Sequence, residues 1–284
     1  MNILSLSNPE KSDIKFKISK FPDGQQSVCI EDNLTIDHII IESRFNSFRD
    51  LELIISANQA LKEMGISTVD LMVPYFLGAR SDRKFVEGTS NYLKTVVCPI
   101  INSQNFNKVC VFDPHSDVLE ACLNNFTKID NIELVKFTLD KIVKEGAVLV
   151  SPDAGALKKV YHVAEELGIS DIIIASKHRD VKTGKITHTE VPGVEKYNEN
   201  NKFVIVDDIC DGGRTFTELA KTIRQHNSLS KIYLIVSHGI FSAGMTPLND
   251  SFDGIFTTNS IRPEEDIFNS SNDISKLSIY KILN

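Results

Sequence analysis

Short apolar runs rich in β-branched residues alternate with stretches of helical periodicity along most of this chain. Residues 68–73, 108–112, 147–150, 171–175, 203–206 and 231–236 read as strands. From Ser47 to Met64, the side chains of Leu51, Ile54, Ile55, Leu61 and Met64 fall largely on one side of a helix. A serine caps its start and Gly65 stops it. Residues 156–167 repeat the pattern with Leu157, Val160, Tyr161, Ala164 and Leu167, ending at Gly168. Residues 138–145 read as a short helix, and an amphipathic segment runs from Thr215 to about Gln225. Strands that alternate with helices build parallel sheets covered by helices. Gly184 and the polar run 198–201 mark the expected mobile loops.

Composition narrows the picture. A chain of 284 residues with 42% hydrophobic and 24% charged residues has ample core for one large domain or two of about 140. Each half carries strands that feed acid-bearing loops, Asp113 and His115 in one, Asp207 and Asp208 in the other. The junction is expected near 135–140, giving domains 1–137 and 138–284. No apolar run approaches the ~18 residues of a membrane span, and the first residues lack a signal pattern. Cysteines 29, 98, 110, 122 and 210 are odd in number and form no CxxC pair, which fits reduced thiols in a cytoplasmic protein. Cys210 is expected to pack beside Ile209 rather than react. The net charge of −7 argues against nucleic-acid binding. A site for anions must therefore concentrate its cations locally.

The candidate chemistry lies in 206–215, where an apolar run ends in Asp207 and Asp208 and a glycine turn opens a helix. Such a turn suits a sugar phosphate. Its N–H groups and the helix dipole can hold phosphate, and the carboxylates can accept from vicinal ribose hydroxyls. The same residues also read as plain local structure: Thr215 to Glu218 fits a capping box, and Asp-Gly-Gly is ordinary turn chemistry. Asp153, at a strand end before a helix, can cap that helix or ligate Mg²⁺. His115 between Pro114 and Ser116 reads by itself as structural, and Lys177-His178-Arg179 as a solvated surface.

The 206–215 segment resembles the ribose-phosphate loop of type I phosphoribosyltransferases and of phosphoribosyl pyrophosphate synthetases. Four further segments resemble the synthetases: Pro74 to Lys84 (PYFLGARSDRK) their ATP segment, Phe112 to Asp117 (FDPHSD) their metal-histidine segment, Ser151 to Gly155 (SPDAG) their pyrophosphate loop, and Phe21 to Gly24 (FPDG) their adenine-binding loop. The resemblance implies an α/β fold of two similar type I phosphoribosyltransferase-like domains, each a mainly parallel sheet flanked by helices, with a C-terminal strand at 278–283 returning to the first. It implies diphosphoryl transfer, in which the C1 hydroxyl of a ribose phosphate attacks the β-phosphorus of ATP and AMP leaves, with Mg²⁺ as cofactor. Phe21, Asp23, Gln25, Arg80, Ser81, Arg83 and His115 would bind ATP. Asp207, Asp208, Asp211, Gly212, Gly213, Arg214 and Thr215 would surround the ribose phosphate. Asp153, Ala154 and Gly155 would form the pyrophosphate loop, with His115 and Asp153 at the metal. Lys177 and Arg179 would be catalytic, on a flexible loop closing over the diphosphate; Lys185 and His188 have no assigned role. Lys84 would add to the local cations. In the family a neighbouring subunit supplies the adenine pocket, so a homodimer or larger homo-oligomer follows, with no membrane partner.

Several positions depart from the family pattern. Gln25 stands where glutamate is usual, Ser81 replaces a common glutamine, and residues 85–90 lack the basic character of a regulatory loop. The family's Asp-Thr-Gly-Gly-Thr reads Asp211-Gly212-Gly213-Arg214-Thr215. Arg214 either points outward or meets a larger 5-substituent, as in ADP-ribose. The expected acceptor is ribose 5-phosphate, with a 5-extended acceptor as the alternative. A phosphoribosyltransferase is disfavoured by the separate ATP segments. A silent regulatory relative is disfavoured by the presence of Lys177, Arg179, His115 and Asp153.

Overall fold

The computed structural model describes residues 2–142, 146–179, 186–269 and 274–283. It divides into two compact units, Met1–Asp130 with Ile282–Asn284, and Asn131–Lys281.

The first unit contains β1 (Asn2–Ser5), β2 (Phe16–Lys20), β3 (Gln26–Ile30), β4 (His38–Glu42), α1 (Phe48–Glu63), β5 (Thr68–Val73), α2 (Cys98–Ser103), β6 (Lys108–Phe112), α3 (Val118–Cys122) and β7 (Phe126–Ile129). Its sheet is five-stranded and parallel, ordered β1-β4-β5-β6-β7. β2 and β3 stand apart as an antiparallel hairpin. α1 starts where its capping serine was expected: Asp50 N donates to Ser47 Oγ at 3.3 Å and Ser47 N donates to Asp50 Oδ2 at 2.8 Å. It buries Leu51, Ile54, Ala57 and Leu61, each large aliphatic worth about 1.5–3 kcal/mol of burial. Phe45 and Phe76 meet edge to face, 5.0 Å between centroids, within the same core.

The second unit contains α4 (Ile132–Ile142), β8 (Ala147–Ser151), α5 (Leu157–Leu167), β9 (Ile172–Ile174), β10 (Ser176–Arg179), β11 (Ile186–Glu190), β12 (Lys202–Cys210), α6 (Arg214–His226), β13 (Lys231–Gly239), α7 (Thr246–Ser251), β14 (Gly254–Thr258), α8 (Glu264–Asn269) and β15 (Leu277–Tyr280). Its parallel sheet runs β15-β14-β13-β12-β8-β9. β8 is buried throughout its length, as an apolar strand flanked on both sides should be, with Ser151 its one polar residue. After β8 the chain goes to β9 on one side, then returns to place β12 on the other. Strand order therefore reverses between β8 and β12, and ligands of open α/β sheets bind outside the carboxyl ends of such a pair.

One expected boundary falls elsewhere. The division expected between residues 137 and 138 falls inside α4, whereas the units part after Asp130. Both ends of that boundary pack within the second unit: Asn131, just before α4, donates through Nδ2 to Ser237 Oγ at 3.4 Å, and the Phe137 ring of α4 meets Tyr280 at 5.2 Å. Leu277–Tyr280 pair with β14, Leu277 opposite Ile255 and Tyr280 opposite Thr258, whereas Ile282–Asn284, the end of the segment expected to return to the first domain, group with the first unit. The backbone groups of β15 complete the second sheet. The polar run 198–201 is a turn held by its own side chains, Asn198 N to Asn201 Oδ1 at 3.0 Å and Asn200 N to Asn198 Oδ1 at 2.9 Å. Gly184 lies outside the described residues.

Candidate active site

In the second unit, the reversal brings the two acid-bearing segments to neighbouring strand ends. β8 and β12 pair from Lys202 opposite Ala147 to Ile205 opposite Val150, and Asp153 and Asp208 each follow three residues beyond that last pair on the two neighbouring segments. Asp153 Oδ1 accepts from Gly155 N at 3.0 Å and Ala156 N at 3.2 Å, folding the pyrophosphate-loop segment around its own carboxylate. Asp153 thus closes a local turn ahead of α5, while Ala154 and Gly155 are exposed. Asp208 is buried, and its N–H donates to Asp207 Oδ1 at 2.9 Å. Burial, and then the adjacent Asp208 carboxylate, push the Asp207 carboxyl well above the usual carboxylate range. Lys159, on the first turn of α5 with its ammonium nitrogen buried, pulls the other way.

The turn after β12 passes directly into α6. Gly213 is the residue before the helix and has φ 77°, and a Cβ there would lie 2.8 Å from Leu248 Cδ2. Only glycine meets both demands. Phe216 N and Thr217 N both donate to Gly213 O at 3.0 Å. The N–H groups of Arg214 and Thr215 lie at the helix start, where no intrahelical acceptor exists for them. The capping box read at Thr215–Glu218 is not formed, because Thr215 falls inside the first turn and no side chain caps α6. Gly212 and Arg214 are exposed and Asp211 is half-buried. Cys210 turns into the core, completely buried, and burial raises its thiol to about 12, with Asp207 and Asp211 adding to the shift. It carries no thiolate for chemistry.

Lys177 and Arg179 stand on β10, which pairs antiparallel with β11, Lys177 opposite Thr189, with the register shifting between His178 and Arg179. β10 follows β9 almost immediately, so the expected loop begins as a two-stranded ribbon. The side chains of Lys177, Arg179 and His188, and all of Lys185, lie outside the described residues.

In the first unit, Phe21, Asp23 and Gln25 occupy the tip of the β2–β3 hairpin. Phe21 N donates to Gln25 O at 2.8 Å, Gln25 N to Asp23 Oδ1 at 3.2 Å, and the Phe21 ring is 51% exposed. An apolar ring held out on a closed turn is available to stack. The segments after β5 and β6 lie side by side, since Val73 pairs with Val111 and Phe112 N donates to Pro74 O at 3.2 Å. Arg80, Arg83, Lys84 and His115 are exposed and Ser81 is half-buried. Arg83 lies over the Phe85 ring at 5.2 Å. Ser116 Oγ bonds Asp82 Oδ2 at 2.8 Å and Asn91 Nδ2 bonds the Asp82 carbonyl at 3.0 Å. Asp117 precedes α3 without a side-chain cap.

Sequence reasoning missed Lys159, Ser116 and Ser242. Each acts on a named acid from another segment, and nothing in local spacing marks such a partner. Among the described residues no group of three or more histidine, cysteine, aspartate or glutamate side chains gathers for a metal. Mg²⁺ commonly uses one or two carboxylates with substrate phosphates and water. Asp153 fits that demand, and the imidazole of His115 fits it less well.

A parallel sheet whose strand order reverses beside an acid-bearing turn that opens a helix is the arrangement of the type I phosphoribosyltransferase class. Residues 124–258 match the phosphoribosyl transferase domain family. The ribose-phosphate pyrophosphokinase of Marinomonas sp. (strain MWYL1) is 28% identical over 231 residues, covering 79% of this chain and 71% of that one. That of Mycoplasmopsis pulmonis (strain UAB CTIP) is 31% identical over 221 residues, covering 76% and 65%. The fold matches the crystal structure of phosphoribosylpyrophosphate synthetase from Mycobacterium smegmatis with TM-score 0.81 at 16% identity, over 99% of this chain and 95% of that one. This chain belongs to the ribose-phosphate pyrophosphokinase, or phosphoribosyl pyrophosphate synthetase, family.

Proposed function

We propose that this protein transfers the diphosphate of ATP to the C1 hydroxyl of ribose 5-phosphate, giving phosphoribosyl pyrophosphate and AMP for nucleotide biosynthesis. The observation that carries the reading is the strand reversal, which sets the Asp153 loop beside the Asp207–Asp208 turn. The acids accept from the ribose hydroxyls, and the amides of the 211–215 turn hold the 5-phosphate. The 153–155 loop lies beside them for the diphosphate. Arg80, Arg83 and His115 bind nucleotide phosphates, Ser81 lies among them, and the 21–25 hairpin tip takes the adenine. Lys177 and Arg179 stabilise charge on the diphosphoryl group in transfer. Asp153 would hold Mg²⁺, with His115 near the nucleotide phosphates; the ion neutralises phosphate charge when bound. The protein is assigned to the cytoplasm as a homodimer or larger homo-oligomer.

Incubation with ATP, Mg²⁺ and ribose 5-phosphate, followed by mass spectrometry, tests the reading. AMP and a ribose 1-diphosphate are expected in equal amounts. Release of inorganic phosphate or ADP in their place would overturn it.

A second acceptor is favoured by one observation: Arg214, the first residue of α6, is exposed beside the open Gly212. It can pair with a second phosphate on a 5-extended acceptor such as ADP-ribose, linking the activity to NAD metabolism. The same assay with ADP-ribose decides between them.

A further inference from the structure

The sugar-phosphate turn does not hold its shape alone. Ile240 and Phe241, just beyond β13, donate their N–H groups to the Cys210 carbonyl at 2.8 and 3.2 Å. Ser242 N donates to the Asp211 carbonyl at 3.1 Å, and Ser242 Oγ donates to Asp211 Oδ1 at 2.6 Å. One residue therefore grips Asp211 by both backbone and side chain. The gripping segment is itself constrained. Phe241 has φ 50°, a left-handed conformation uncommon for a bulky residue, with its ring buried. Ile240 O accepts from Arg262 Nη2 at 2.5 Å. A side chain on Gly212 would come within 3.7 Å of Ser242 Oγ and 3.9 Å of Ala243 Cβ, so this segment walls the turn on one side.

A carboxylate at the rim of a phosphate-binding turn is a hazard. Turned inward, it repels the anion and competes for the same amides. A short hydrogen bond from a hydroxyl to a carboxylate is charge-assisted and directional, and it fixes where the carboxylate points. We infer that Ser242 is a positioning residue for the acceptor: its hydroxyl holds the Asp211 carboxylate to one side, so that the turn amides are left to the 5-phosphate. This rests on the proposed reading of residues 207–215 as the acceptor site. The backbone bonds from residues 240–242 survive substitution of the Ser242 side chain, which separates its role from that of the fold.

The test is calorimetric titration of ribose 5-phosphate, and separately of inorganic phosphate, into wild type, Ser242→Ala and Ser242→Thr, with steady-state kinetics on each. Loss of one such contact should weaken acceptor binding by about tenfold in Ser242→Ala and raise the acceptor KM to match. The kcat, the affinity for ATP and the Tm should stay near wild type, and Ser242→Thr should restore acceptor affinity. Unchanged acceptor binding in Ser242→Ala would overturn the inference. So would a joint fall in acceptor binding, ATP binding and Tm, or a folded threonine variant as weak as alanine. If wild type binds inorganic phosphate but not ribose 5-phosphate, the acceptor reading fails, and the phosphate titrations still decide the role of Ser242. Binding of neither by wild type overturns both.

Discussion

Ser116 Oγ bonds the Asp82 carboxylate at 2.8 Å, joining the segment after β6 to the segment after β5. Asp82 lies between Arg80 and Arg83, and Ser116 follows His115. The bond therefore fixes the spacing between two groups of cationic or imidazole side chains proposed to meet one nucleotide. Its carboxylate side chain is only 9% exposed, so solvent screens it little.

Ser116→Ala and Asp82→Ala should each weaken ATP binding by about fivefold, the worth of one hydrogen bond near 1 kcal/mol. The double variant should be no weaker than either single one, because both remove the same bond. Calorimetry with ATP on the four proteins checks this. Additive losses would mean that the two side chains act independently.

The raised Asp207 carboxyl has a consequence for stability. The unfolded group titrates near 3.8, whereas burial and Asp208 keep the folded one protonated to higher pH. The folded state then binds the extra proton, so stability relative to the unfolded chain is lost as pH rises from about 4 through the folded value. Asp207→Asn removes that loss. Its Tm should exceed that of wild type near pH 7, with the difference shrinking as pH falls towards 4. The same variant should weaken acceptor binding at least tenfold while leaving ATP binding unchanged. Thermal melts across pH, paired with titrations, read both effects; a pH-independent Tm difference would contradict the first.

Asp253 behaves in the opposite sense. Burial works against its charge, but Lys231, the Ile232 N–H and Arg224 together hold the carboxyl below its ordinary value. Its stabilisation is therefore present above pH 4 and lost as pH falls through the depressed value. Asp253→Ala should cost on the order of 1–3 kcal/mol at neutral pH, and less in acid. Denaturant unfolding at two pH values measures it, and activity per folded molecule should not change.

Lys177→Ala should reduce kcat by a hundredfold or more, roughly the loss of one transition-state charge contact of 3 kcal/mol, with much less effect on ATP affinity. Rapid-quench turnover together with equilibrium nucleotide binding separates the two. A variant with near wild-type kcat would remove Lys177 from the mechanism.

Arg214→Gly discriminates between acceptors. If Arg214 meets an extra phosphate, kcat/KM for ADP-ribose should fall by roughly ten- to a hundredfold, while ribose 5-phosphate use falls less or rises. Both acceptors are measured side by side on wild type and variant. An unmoved ratio would make Arg214 a surface residue.

The sequence determined what short-range forces control. α1 was legible because its capping serine, its apolar stripe and its stop at Gly65 all lie within one segment. β5 and β6 were legible because runs of β-branched residues have few other uses. The five motif segments stood out because their residues keep a fixed local order, and the binding each would do belongs to the proposed function. What crosses between segments was decided by tertiary structure. β15 could pair with either sheet as far as its side chains show, and only the open edge beside β14 settled it. The capping box at Thr215 was locally sound, but with Leu248 close against Gly213 the helix starts two residues earlier, with Gly213 before it and Arg214 its first residue. Asp153 and Asp208 are 55 residues apart along the chain, and their segments come to adjacent strands only through the strand reversal. Lys159, Ser116 and Ser242 show the same limit. Their effect depends on distance in space and on burial, which periodicity along a chain does not encode.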